Sequence, residues 1–305
     1  MAPKFFPLLL TAVLFRIVCA GGLSASGTTS AAFLLVNVPA REASLGGIYA
    51  VNYARPAAAT ANPAVLCGIK SSHLTLSHYV SVFNTNYEQF IFAAPLSEKS
   101  AWQAAFLYSG NSDLYRTDDM GYPVEYIDNY DIYAGGAYAF EFSRELNLGI
   151  GAKLLFLRAY TNTDIGAVLN LGALYRNFDL RYMIGLSVEN LGAGIAAFTD
   201  GIFYPLIIRA GYGTELYRHP EDYRISLFIE ERVYLNENEG AETTFALEAE
   251  YRRFFVFRYG YVFGMDEGRV ALGAGVKFRQ INIDYAYQPF FLSDNAHRFS
   301  VEIIF

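Results

Sequence analysis

The sequence predicts an all-β protein: a transmembrane antiparallel β-barrel of about fourteen strands. Three observations carry that prediction. From Ile69 onward the chain breaks into segments of about ten to fifteen residues that alternate apolar and polar positions, the length of tilted membrane strands and not of the shorter globular ones. The composition, with 24 Tyr, 25 Phe and 26 Gly in 305 residues, favours strands over helices. The breaks between segments alternate between tight and long, as in barrels whose turns and loops face opposite sides of a membrane.

Taken in order, the first element is a targeting segment over residues 1–20. Lys4 supplies a positive start, Phe5 to Val18 an apolar run, and Val18-Cys19-Ala20 a small-residue cleavage site, so export is expected. Arg16 interrupts the apolar run, and Cys19 leaves open a second reading as a lipidated cysteine. Cleavage would leave Cys67 alone, which excludes an intramolecular disulfide in that form. No later stretch reaches the roughly 18 apolar residues that a membrane helix needs. A formal net charge of -7 argues against nucleic acid or anionic lipid as the main partner.

Residues 21–68 do not alternate and are rich in Ala, Gly, Pro and small polar residues. Their distinctive words are Ala40-Arg41-Glu42-Ala43-Ser44-Leu45-Gly46-Gly47-Ile48-Tyr49-Ala50 and Ala61-Asn62-Pro63-Ala64-Val65-Leu66, the second placed directly before the first expected strand. Pro63 fixes a turn that Asn62 can cap, and Gly46 and Gly47 permit close approach or left-handed backbone. Ordinary turn chemistry would account for the same residues.

The wall is expected over residues 69–305, in segments near 69–80, 85–96, 98–109, 128–142, 144–158, 162–177, 178–190, 204–217, 221–236, 241–252, 253–264, 267–278, 279–288 and 296–305. Phe255, Phe257, Tyr259, Tyr261 and Phe263 oppose Val256, Arg258, Gly260 and Val262, so an aromatic face meets lipid and a mixed face lines the lumen. Tight breaks at Ser97, Ser143-Arg144, Asn177-Phe178, His219-Pro220, Arg252-Arg253 and Arg279-Gln280 fall on one side, and the longer connections 110–127, 190–203 and 289–295 on the other. The last segment alternates Phe299, Val301, Ile303 and Phe305 with polar residues. Its aromatic end resembles the signal read by the barrel assembly machinery of the bacterial outer membrane, and it is expected to pair with the strand beginning near Ile69 to close the wall.

Motifs for chemistry are sparse. The pairs Gly149/Gly151, Gly211/Gly213 and Gly273/Gly275 lie inside strands and open no helix, so they read as room on the lumen side and not as phosphate loops. His73, His78, His219 and His297 have no metal-ligand spacing, and His73 lacks an identifiable group to orient it as a base; neither an enzyme, a cofactor nor a metal centre is expected. The charges expected in the lumen are Arg181, Arg209, Arg224, Arg258, Arg269, Lys277 and Arg298 with Glu189, Glu215, Glu248, Glu250, Asp284 and Glu302. A salt-bridged scaffold is one reading, because isolated charges in a confined lumen are costly. A site for a ligand carboxylate at Arg224 or Arg258 is the other. Connection 110–127, with Asp113, Asp118, Asp119 and Glu125 among tyrosines, reads as a solvated loop or a surface for a partner or cation.

The Gly-Gly-x-Tyr stretch, Asn62-Pro63-Ala64 before the first strand, fourteen segments, Glu189-Asn190-Leu191-Gly192 after the seventh and terminal Phe305 together resemble the FadL-type outer-membrane transporter superfamily, closest to its short PorV-like and spirochaetal FadL-like branches. The resemblance covers nearly the whole exported chain. It implies a hatch inside the lumen over residues 21–68, with Gly46, Gly47, Tyr49, Asn62, Pro63 and Ala64 as its marks. It also implies passive uptake of hydrophobic small molecules, fatty acids by default, with outer-membrane lipids around the wall and no cofactor. A PorV-like barrel that holds exported protein partners at the cell surface is the alternative. Tyr53-Ala54-Arg55-Pro56 stands where many relatives carry acidic residues, so hatch-to-wall ion pairing should be rearranged.

Overall fold

A computed structural model describes residues 31–81, 84–111, 114–179, 181–194, 204–219, 222–235, 240–265, 269–290 and 294–305. The targeting segment expected at 1–20, Cys19 within it, residues 21–30, Asp113, Leu180, Pro220 and most of connection 190–203 lie outside the described residues.

Fourteen antiparallel strands form one closed barrel. They are β1 (His73–Val80), β2 (Thr85–Ser97), β3 (Ser100–Asn111), β6 (Asn129–Glu141), β7 (Leu146–Ala159), β8 (Asn162–Asn177), β9 (Tyr182–Gly194), β10 (Ile207–Arg218), β11 (Tyr223–Tyr234), β12 (Ala241–Tyr251), β13 (Phe255–Phe263), β14 (Val270–Phe278), β15 (Ile281–Gln288) and β16 (Ala296–Ile304). The long connection after β3 folds into a separate hairpin of β4 (Tyr115–Thr117) and β5 (Pro123–Tyr126), where a plain loop was expected.

Which face points outward decides the class. On β13 the outer side chains Phe257 and Tyr259 are 60% and 43% exposed, whereas Val256, Arg258 and Val262 are buried. A water-soluble sandwich would invert that arrangement, since large apolar faces are costly in water. On this strand the charged residue therefore goes into the ring and the aromatic ones out of it, as a wall solvated by lipid requires.

The ring is sealed by β1 against β16, in register from His73 opposite Ile304 to Val80 opposite His297. The Phe305 amide extends that seam, donating to the Ser72 carbonyl at 2.9 Å. Phe299 and Phe305 face outward and are exposed, with Val301 and Ile303 half-buried on the same side. β1 begins at His73 and not at Ile69, because residues 63–68 stay in a 3-10 turn started by Pro63. The connections after β2, β6, β8, β10, β12 and β14 are short turns at the end where Phe305 lies. One connection at the opposite end, 160–161, is also tight, since β7 and β8 extend over 14 and 16 residues and carry the wall past their neighbours.

The segment before β1 lies inside the ring. A 3-10 turn (Ala32–Leu35), one helical turn (Ala40–Ser44) and two further 3-10 turns (Ala57–Thr60 and Pro63–Gly68) follow one another. The helical turn packs on β13 to β16 while Pro63–Gly68 packs on β3 and β6 to β8, so the chain bridges separate arcs of the wall. Small residues without period-two alternation suit this placement, because such a stretch fits between inward side chains and offers no face to a sheet.

Candidate functional site

The interior has two halves. Toward the long-connection end, Phe33 and Val38 of the inner segment pack with Tyr79, Tyr87, Leu107, Tyr133, Leu155 and Tyr204. Toward the short-turn end, Leu45, Ile48, Val51, Val65 and Leu66 pack with Leu174 and Phe228. Between these apolar layers the segment is fixed to the wall by polar contacts.

Glu230 of β11 is the centre of one set. Its Oε2 accepts the Tyr49 and Ala50 amides at 2.9 and 2.7 Å, while its Oε1 accepts Arg209 at 3.0 Å. Arg209 also donates to Glu189 at 2.5 Å and to the Gly47 carbonyl at 3.1 Å, with its guanidinium over the Tyr49 ring. Gly46 and Gly47, at φ 69 and 86, turn the chain so that these carbonyls and amides point at the wall. Two carboxylates around one guanidinium, each further hydrogen-bonded, meet the condition under which buried charge is tolerated.

A second set gathers around Arg258, which donates to Glu248 at 2.8 Å and to Asp284 at 2.6 Å. Arg41 of the inner segment reaches the same Glu248 at 3.0 Å and pairs with Glu42 at 3.2 Å. Burial pushes the Glu42 carboxyl above its ordinary value, with Arg41 opposing that shift. Arg55 approaches Glu302 at 3.5 Å, and Glu302 also meets His73 at 2.9 Å and Asn282 at 2.7 Å. The pairing of the segment to the wall runs through Arg41 and Arg55, cations reaching wall carboxylates. Arg224 pairs with Glu250 at 2.6 Å, and Lys277 shares that carboxylate at 2.5 Å.

Asn62 ties the segment to itself and to the wall. Its side-chain amide donates to the Ala50 carbonyl at 2.7 Å and to Ala173 of β8 at 3.3 Å, and its Oδ1 accepts the Ala64 amide at 3.1 Å as the cap of the Pro63–Gly68 turn. Pro63 and Ala64 lie against Gly149, where a Cβ would come within 2.5 Å of the Ala64 nitrogen. Gly211 and Gly273 similarly sit under Ala50 and Ser44, so at least one member of each glycine pair marks where the segment touches the wall.

Other expected residues are placed differently. Arg181 is not on a strand face; it is the exposed last residue of the β8–β9 turn, with φ 52. Arg269 likewise precedes β14 in a loop, where it donates to the Met265 carbonyl. Period-two alternation extended past the strand ends would put both on the inner face, and the turn breaks that pattern. Glu230, Arg41 and Lys153 were not singled out in the sequence. Glu230 shares the parity of Arg224 and Phe228, and that signal was available. Lys153 faces the Tyr133 ring at 5.3 Å with no ion pair among the described residues.

The motif Glu189-Asn190-Leu191-Gly192 marks a bulge in the wall. The β8–β9 register shifts between Leu169 and Leu171, Asn190 takes φ 60, and its amide donates to the Asn170 side chain at 2.8 Å instead of across the ladder. Asn170 in turn donates to the Thr60 carbonyl at 2.6 Å, which couples this bulge to the inner segment.

Open space is uneven. A gap of about 30 Å³ lies among Phe33, Val36, Tyr49, Tyr133, Lys153 and Arg209, and one of about 10 Å³ beside Thr60 and Gly136. At the short-turn end a vestibule of about 450 Å³ opens below Val51 and Tyr53.

No family model matches the sequence, and no curated protein does either. Solved structures do. The Pseudomonas putida toluene transporter TodX aligns with a TM-score of 0.57 at 13% identity, over 88% of this chain and 96% of that one. The CymD monoaromatic hydrocarbon channel gives 0.58 at 13% identity, over 88% and 97%. A Pseudomonas aeruginosa FadL homologue gives 0.55 at 11% identity, over 93% and 99%. With the closed fourteen-stranded wall, these matches show that this chain has the FadL-type fold.

Proposed function

We propose that this protein is an outer-membrane channel that admits hydrophobic small molecules passively, with residues 31–72 acting as its hatch. The observation that carries the reading is the aromatic and aliphatic layer at the long-connection end, formed by Phe33, Tyr79, Tyr87, Leu107, Tyr133 and Leu155. A diffusion porin lines its lumen with polar groups and water, and an apolar entrance of this kind rejects such solutes. The similar structures named for toluene and monoaromatic hydrocarbons support the same class of cargo. Among the described residues the segment is held to the wall by hydrogen bonds, ion pairs and packing, so its displacement would open the small gaps into a path. Long-chain fatty acids are the proposed cargo; monoaromatic hydrocarbons are the competing one. Uptake of labelled oleate and labelled toluene by a bacterial host lacking its own channel of this type, with and without this chain, separates them. Uptake of both at the level of the empty host rejects transport.

The hairpin of β4 and β5 favours a second reading. Tyr115, Met120, Tyr122, Val124 and Tyr126 are all exposed on it, an apolar surface of the kind that binds protein. In that reading the barrel holds an exported partner at the cell surface, and pull-down from detergent extracts would return a stoichiometric protein whose capture is lost when residues 115–126 are replaced by a Gly-Ser linker.

A further inference from the structure

The vestibule at the short-turn end differs in chemistry from the rest of the protein. The chain has a formal net charge of -7, yet this mouth is lined by Arg41, Arg55, Arg176, Arg181, Arg218 and Arg224 against only Glu215 and Glu248. Both carboxylates are already engaged, Glu248 by Arg41 and Arg258, and Glu215 by Arg218 at 3.3 Å. Arg176 and Arg181 carry no ion pair among the described residues. Arg176 instead lies over two rings, its guanidinium carbon 3.5 Å from the centre of the Tyr53 ring and 4.4 Å from that of Phe178. Stacking fixes the plane and leaves the N–H edge for a ligand, the arrangement by which arginine takes a carboxylate in two parallel hydrogen bonds.

Asn52, Asn177, Thr214 and Ser226 add neutral polar groups to the lining, and Met183 and Phe228 form an apolar wall beside these arginines. At about 450 Å³ the space is within the range of sites for small molecules, roughly 300–1,000 Å³. We infer that this vestibule is a binding site for an amphipathic carboxylate, with the acid group on Arg176 and Arg181 and the hydrocarbon part against Met183 and Phe228. A free inorganic anion satisfies only the arginines, and a neutral hydrophobe only the apolar wall. The inference goes beyond the transport reading, because binding here requires no passage through the lumen.

Titration calorimetry of the full barrel in lipid nanodiscs, with octanoate, octanol and acetate as probes, tests it. The expected result is saturable octanoate binding at least tenfold tighter than that of octanol after subtraction of empty nanodiscs, with acetate at least tenfold weaker again. Arg176→Gln should weaken octanoate at least tenfold. Because Arg176 also stacks on Tyr53, Arg181→Asn, at an exposed turn position that suits left-handed backbone, provides the variant that leaves the fold intact and should weaken octanoate several-fold. Equal octanoate and octanol affinities, or an Arg181→Asn barrel that still shifts on heating in gels and binds octanoate as the parent does, would overturn the site. Failure of oleate and toluene uptake with octanoate binding intact rejects transport and leaves the vestibule standing; intact uptake without octanoate binding does the reverse.

Discussion

Replacing Asn62 by Ala should loosen the inner segment while leaving the wall closed. Asn62 is fully buried, and the substitution removes the partners of two buried backbone groups, the Ala50 carbonyl at 2.7 Å and the Ala64 amide at 3.1 Å. The weaker contact to Ala173 at 3.3 Å goes as well. Each orphaned buried group costs about 1–3 kcal/mol, so the closed arrangement loses about 2–6 kcal/mol. A central value of about 4 kcal/mol multiplies the population of opened segment by roughly a thousand. Hydrogen–deuterium exchange on the barrel in nanodiscs reads this directly. Amides of residues 45–68 should exchange about a thousandfold faster, while those of β12 and β13 keep their protection, since their ladder does not touch Asn62. Unchanged exchange at 45–68 would show that Asn62 does not hold the segment. An equal rise across β12 and β13 would show that segment and wall open as one unit, and would refute the separation on which the proposed hatch rests.

Three other outcomes test the same geometry. Glu230→Ala strips the Tyr49 and Ala50 amides of their acceptor and leaves Arg209 with Glu189 alone, so it should lower stability by about 3–5 kcal/mol, seen as a lower temperature for the folded-to-unfolded gel shift, whereas Glu230→Gln should recover part of the loss. An Ala variant with parental stability would remove Glu230 from its central role. Gly149→Val puts side-chain atoms where a Cβ already lies 2.5 Å from the Ala64 nitrogen; the Pro63–Gly68 turn should be displaced and apolar uptake should rise, and unaltered uptake would mean that the turn does not block the path. Cys67 is buried, and burial pushes its thiol up to about 12 from 9.0. The neutral form is favoured, so at pH 8 the thiolate population is about a thousandfold below that of an ordinary cysteine, and maleimide labelling of the folded barrel should be slow, rise with pH and become fast on unfolding. Rapid labelling at pH 8 would place Cys67 outside the core.

The wall was legible because its signal is local. In β12 and β13 each residue is assigned to lipid or lumen by its parity alone, and the pairing of Glu248 with Arg258 follows once two alternating strands share a tight turn at 252–254. Parity fails where a strand stops, as at Arg181 and Arg269, and where a bulge shifts the register, as between Leu169 and Leu171. Parity also puts Glu230 inward with Arg224 and Phe228, but nothing in 221–236 says that this carboxylate would meet two amides from residues 49 and 50.

From the sequence alone come the all-β class, the fourteen wall segments, the side on which short turns fall and the strand that closes the ring, because period-two alternation and turn chemistry act over a few residues. The tertiary structure alone decides which charges meet: Arg41 with Glu248, Arg209 between Glu189 and Glu230, and the stacked Arg176 at an open mouth. Those partners lie up to some two hundred residues apart, on a segment with no period of its own, and only closure of the barrel around that segment sets their distances.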